Sequence, residues 1–181
     1  MHEFLRNLPK VELHLHIEGS LEPELMFSLA QRNGIELPYA TVQDAKDAYH
    51  FSDLQGFLNL YFQGMSVLRK EEDFYDLAMD YFKRAREEGV VHIDMHFDPQ
   101  AHLQRGVPLE VVMGGLLKAK QEAEENLDLS IGMIMAFLRE RPAEEALHVL
   151  EQAAPYWKLL DAIGLDSAEQ NNPPLKFVEV F

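Results

Sequence analysis

The sequence contains no cysteine. Disulfide staples and thiolate metal sites are therefore excluded, and the composition fits a reducing, cytoplasmic compartment. Basic residues are scarce: 16 Lys and Arg stand against 31 Asp and Glu, a formal net charge of -15. A surface this acidic repels phosphate backbones, so nucleic acid is not expected as a partner. No run approaches the ~20 apolar residues that span a bilayer, so no membrane anchor is expected. Met1 to Pro9 holds neither a long apolar run nor a cleavage signal, so no export signal is expected. Internal repeats, low-complexity tracts and Gly/Ser linkers are also missing, so nothing divides residues 1–181 into separate domains.

What the chain does contain is enough apolar side chain for a core, 47% of its residues, in two alternating patterns. Short apolar runs at Lys10–His16, Val90–Phe97, 127–138 and 159–165 read as strands, the third buried on both faces. The longer segments between them have helical spacing. Residues 21–33 form one helix, with Ser20 as cap candidate, Pro23 in the first turn and Gly34 as the stop. Residues 41–49 form a short helix, and Ser52 with Gln55 makes a capping box for another. Along that helix Leu54, Phe57, Leu58, Tyr61, Met65 and Leu68 recur on one side. Residues 71–88, 108–125 and 142–153 are helical, and 175–181 reads as the start of a further helix. Strands alternating with helices predict an α/β fold with a parallel sheet. Its two closures are an open doubly wound sheet and part of a (β/α)8 barrel, which needs ~250 residues or more.

Chemistry concentrates at Lys10–Ser20. On a strand, alternate side chains share a face. Val11, Leu13 and Leu15 are then expected to point toward covering helices, and Glu12, His14 and His16 to the other side. Two imidazoles on one face, two residues apart, have the spacing to share one metal ion. They stand at the C-terminal end of the strand, the catalytic end in barrels. The bland alternative is a pair of surface histidines on an edge strand. His92, Asp94 and His96 also alternate, with Asp98 following, and are read as a polar strand face with internal hydrogen bonds. His2, His50, His102 and His148 carry no spacing signal. Arg139 closes the third strand, either facing the mouth or paired to Glu140 or Glu144.

The string Pro9-Lys-Val-Glu-Leu-His-Leu-His-Ile-Glu-Gly-Ser-Leu-Glu-Pro23 resembles the opening of the adenosine/adenine deaminase family, metal-dependent barrels of the amidohydrolase type. Phe97-Asp98-Pro99-Gln100, Gly164-Leu-Asp-Ser-Ala-Glu169, Pro173-Pro174 and Lys176-Phe177 resemble its adenine-specific branch. Adenosine-specific members usually carry Asp where this chain has Glu18. The resemblance implies a TIM-type (β/α)8 barrel of which residues 1–181 supply about the first four β/α units, the N-terminal half of one domain. It implies one Zn2+ per complete site, with His14 and His16 as its first two ligands. It also implies a purine pocket lined by Glu18 and Gly19, an apolar lid of Leu54, Phe57, Leu58 and Tyr61, and Glu169 near the purine ring. The reaction implied is hydrolytic deamination of adenine to hypoxanthine and ammonia, in purine salvage. A zinc-activated water adds to C6 while a glutamic acid protonates a ring nitrogen. Deaminases with a Pro-Cys-x-x-Cys zinc site are excluded by the lack of cysteine.

The sequence departs from the family pattern in what it omits. The third zinc histidine, the catalytic glutamate, the second catalytic histidine and the final aspartate have no counterpart, and the His-Ala-Gly-Glu signature is absent. No catalytic residue is therefore assigned within the chain, and the isolated chain is expected to be inactive, because catalytic zinc normally has three protein ligands. Three alternatives stand. One is an adenosine deaminase. Another is a non-catalytic half-barrel that pairs through its open sheet edges as a homo-oligomer. The third is a different His-x-His barrel such as a phosphoesterase, which the lack of a basic cluster near His14 disfavours.

Overall fold

A computed structural model describes Phe4, Leu5 and residues 8–181. His2 and most of the Met1 to Pro9 segment lie outside the described residues. Four strands, β1 (Lys10–His16), β2 (Val90–Phe97), β3 (Ser130–Leu138) and β4 (Ala162–Asp166), form one sheet in the order β1-β2-β3-β4. All neighbouring pairs are parallel. Strict sequence order, with no switch of direction, makes this an arc of a barrel rather than a doubly wound sheet. The fold is thus a four-stranded half of a (β/α)8 barrel.

The helices are α1 (Pro23–Asn33), α2 (Val42–Ala48), α3 (Leu54–Gly64), α4 (Glu71–Glu87), α5 (Pro99–Leu103), α6 (Leu109–Asn126) and α7 (Ala143–Gln152). Pro23 sits at the start of α1, where its missing N–H costs nothing. Gly34 ends that helix at φ 63°, a left-handed position that glycine takes without strain. Ser20 does not cap α1; its hydroxyl donates to the Ile17 carbonyl at 2.8 Å. Thr41 and Asp44 form a reciprocal capping box on α2. On α3 the cap is Asp53 rather than Ser52, accepting from the Gly56 N–H at 2.8 Å. A carboxylate there also favours the positive end of the helix dipole.

The first turn of α4 is anchored by Asp73, fully buried yet served by four donors: Arg32 (3.0 Å), Asn33 (2.7 Å), and the backbone N–H groups of Arg69 and Lys70 (both 2.9 Å). A buried charge is stable only with this degree of pairing. α4 packs on α6 through Gly115, where an added Cβ would stand 2.3 Å from the Glu71 carbonyl oxygen. Under these helices lie Ile93, Met95 and Phe97 of β2 with Ile131, Met133 and Phe137 of β3, all at most 3% exposed.

Several expected boundaries move. β3 starts at Ser130, because α6 runs on to Asn126 and Asp128 turns the chain at φ 53°. β4 begins at Ala162, since residues 154–159 wind into a 3-10 turn. The helix expected over 175–181 is only a 3-10 turn, Pro174–Phe177, because Pro173 is held extended and Pro174 supplies no N–H. The short helix α5 was not anticipated. The larger correction concerns β1. Val11 and Leu13, expected under helices, are 57% and 60% exposed. β1 is an edge strand, and among the described residues no helix packs closely along it; α4 and α6 pack over the middle of the sheet.

Candidate metal centre

The site gathers at the C-terminal ends of β1, β2 and β4. On β1, Glu12 pairs with Ile93 and Leu15 with Met95, so three steps on β1 match two on β2. This bulge re-aims the intervening side chains, a device common beside active sites. It brings the Nε2 atoms of His14 and His16 to 3.1 Å of each other. Two nitrogens ~2.0–2.1 Å from one zinc at a tetrahedral angle stand roughly 3.3 Å apart, so the pair is set to share an ion.

The other nitrogen of His16, Nδ1, faces two carboxylates, Asp166 at 3.2 Å and Asp98 at 3.9 Å. His96 packs its ring against His14 and His16, with centroids at 4.6 and 5.1 Å. An ion could sit among His16 Nδ1, Asp98 and Asp166, which lie close enough to bind one. The arrangement fits better with these carboxylates behind the imidazole: Asp166 at 3.2 Å, with the charge of Asp98 further off, favours the proton on Nδ1 and leaves the Nε2 lone pair facing His14. A carboxylate behind a histidine ligand is the usual support of a zinc site.

The electrostatics fit a cation. Burial disfavours a charged His16, but the attraction of the Asp166 and Asp98 carboxylates outweighs it and raises the imidazole to about 10. Burial pushes Asp166 up, aided by Asp98 beside it. Burial also works against the charge on Asp98, yet His16, Asp166 and Tyr61 together hold it below the usual carboxylate range. Burial lowers His96, and the neighbouring His16 and His14 reinforce this. Asp98 Oδ1, Asp166 Oδ1 and His96 Nδ1 are buried without a hydrogen-bond partner. Two carboxylate oxygens and an imidazole nitrogen grouped in this way are a donor set that fits a divalent cation.

A second layer lies beneath. Glu18, 3% exposed, accepts from the Asp98 N–H at 2.9 Å and lies 2.8 Å from His102 Nε2. Tyr61, on α3, donates to Asp98 at 2.7 Å, with Glu18 a longer 3.3 Å from the same hydroxyl. Burial raises the Tyr61 phenol well above its ordinary value, and Asp98 and Glu18 add to this, so it remains a donor.

A cavity of about 150 Å³ opens above His16, Asp98 and Asp166 and is roofed by Leu54, Phe57, Leu58 and Tyr61. The four residues expected as a lid thus line one cavity with His16, Asp98 and Asp166, and His14 is not among its lining residues. Glu18 lies behind the cavity wall. Gly19 lines a neighbouring groove and backs onto the Tyr61 ring. Glu169 lies outside the cavity, 73% exposed and 3.4 Å from Arg139, so that arginine's partner is neither Glu140 nor Glu144. A larger groove of about 410 Å³, between α5 and α7, holds none of the clustered imidazoles.

Sequence reasoning set aside His96 and Asp98 with the rest of the β2 alternation, and that reading fits only its lower half. His92 bonds Asp94 and Ser130, each at 3.0 Å. His96 and Asp98 instead join the site, and their place at the strand's C-terminal end was the available signal. Asp166, ending β4, carried the same signal. His102 carried none.

A family model described as Adenosine deaminase matches residues 9–181 of the chain. The chain belongs to this family. It is similar to the adenine deaminase of Acinetobacter baylyi, 53% identical over 179 residues that make up 99% of this chain and 54% of that protein. The adenine deaminase of Rhodospirillum rubrum is 55% identical over 98% of the chain and 53% of its own length. The crystal structure of adenine deaminase from Arthrobacter aurescens superposes with a TM-score of 0.93 at 48% identity, covering 95% of this chain and 53% of that one. An amidohydrolase from B. ambifaria solved with bound Zn shares the fold, at a TM-score of 0.86 and 23% identity, over 98% of this chain and 49% of its own. The chain spans about half the length of the curated relatives it matches.

Proposed function

We propose that residues 1–181 are the N-terminal half of a single zinc-dependent deaminase barrel that hydrolyses adenine to hypoxanthine and ammonia. The observation that carries this reading is the meeting of the His14 and His16 Nε2 atoms at 3.1 Å, with carboxylates behind His16. In this reading His14 and His16 hold the ion, and Asp98 and Asp166 orient His16 through Nδ1. Zinc, when bound, supplies Lewis-acid activation of water near neutral pH. Leu54, Phe57, Leu58 and Tyr61 exclude bulk water and offer an apolar face to a flat purine. Glu18 and Gly19 shape the wall behind Tyr61, and in this reading Glu169 lies near the purine ring. That the relatives are named adenine deaminases supports reading the free base, rather than the nucleoside, as the substrate.

The same reading places the protein in the cytoplasm, with a small purine as its substrate and neither nucleic acid nor membrane as a partner. Among the described residues no helix is long and apolar enough to cross a membrane. We also propose that the chain alone does not turn over, since two imidazoles are one protein ligand short of a catalytic zinc site. Ammonia release from adenine and from adenosine, measured for the 181-residue chain and for a full-length barrel, tests both statements. Zinc-dependent release by the chain alone overturns the second. Turnover of adenosine in preference to adenine by the barrel overturns the first.

A further inference from the structure

Arg105 follows the short helix α5 and stands apart from the cavity above His16, and its guanidinium is aimed at His102 Nδ1 and at the carbonyls of Ala101 (3.1 Å), Ser66 (3.2 Å) and Leu68 (3.0 Å).

 A guanidinium only donates and stays charged, so His102 Nδ1 accepts from it. The His102 proton is then on Nε2, which donates to Glu18 at 2.8 Å. The ring is fully buried and meets Phe74 edge-on, with centroids 4.8 Å apart, so packing as well as hydrogen bonding fixes its orientation. Glu18, held in this way, receives the backbone N–H of Asp98 at 2.9 Å.

We propose that His102 and Arg105 are positioning residues for the metal centre, locking Glu18 and through it the Asp98 segment behind His16. The proposal rests on the metal reading of the site given above. Neither residue touches the ion or the substrate. Arg105 also clasps the carbonyls that follow α3, so the same pair ties the foot of the lid to the floor of the site. Without the His102 donor, Glu18 is free to turn and Asp98 loses its fixed place against His16. Removing such outer partners typically weakens metal binding about 10- to 100-fold.

The test is a Co2+ titration of the 181-residue chain and its H102L and H102Q variants, read by visible absorption and chelator competition, with urea unfolding as a control for folding. The glutamine amide nitrogen stands near the place of Nε2 and keeps a donor toward Glu18. The expected result is a folded H102L chain that binds Co2+ about 10- to 100-fold more weakly with an altered absorption band, and an H102Q chain close to wild type. A folded H102L chain with the wild-type affinity and band overturns the proposal, as does an H102Q chain as weak as H102L. If H102L does not fold, R105M carries the test, because it frees the His102 tautomer: weakened binding supports the proposal and unchanged binding overturns it. A wild-type chain that takes up no Co2+ overturns the metal reading itself, and the proposal with it.

Discussion

Tyr61 donates its hydroxyl to Asp98 at 2.7 Å, joining the lid helix α3 to the end of β2. Both groups are buried, so this bond has no ready substitute in water. Tyr61→Phe leaves the Asp98 carboxylate short of a donor. The expected cost is about 1–3 kcal/mol of stability. Urea unfolding of the metal-free chain measures it, and a midpoint equal to wild type would show that the bond contributes nothing.

The α4–α6 contact sets a second expectation. A methyl group at Gly115 would meet the Glu71 carbonyl and the Phe74 Cβ at 2.3 and 2.7 Å. Gly115→Ala should therefore destabilise the chain by about 1–3 kcal/mol through overpacking, even though alanine is the better helix former. Thermal unfolding followed by circular dichroism checks the sign; a stabilised variant would mean the helices separate at no cost.

The bare edge of the sheet makes a third. Val11 and Leu13 expose apolar surface on β1, whose outer edge has no neighbouring strand among the described residues. Unpaired edges of this kind template association. The isolated chain is expected to self-associate, and Leu13→Lys to reduce that association while leaving the unfolding midpoint near wild type. Sedimentation velocity over a range of concentrations reads both. A wild-type chain that stays monomeric throughout would remove the homo-oligomer from consideration.

How much of this was legible in the sequence differs by residue. The strand at Lys10–His16 was plain, because alternation is a local property and both imidazoles belong to one short run. The parallel sense of the sheet followed from strands alternating with helices, while its order stayed open between a doubly wound sheet and a barrel arc until the family resemblance was weighed. Asp98 and Asp166 were harder, since their meeting depends on parallel register between strands far apart in the chain. His102 left no trace at all: its role comes from α5, a five-residue helix with no periodic signal of its own. The exposure of Val11 and Leu13 was missed for a related reason. Alternation says which residues share a face, and only the packing of other elements decides whether that face is covered.

Zinc binding by the 181-residue chain and its H14A and H16A variants is the most direct measurement, using competition with a chromophoric chelator at neutral pH. A shared site predicts one zinc per wild-type chain and a large loss of affinity in each single variant. Zinc uptake that survives either substitution unchanged would contradict the claim that these two imidazoles grip one ion.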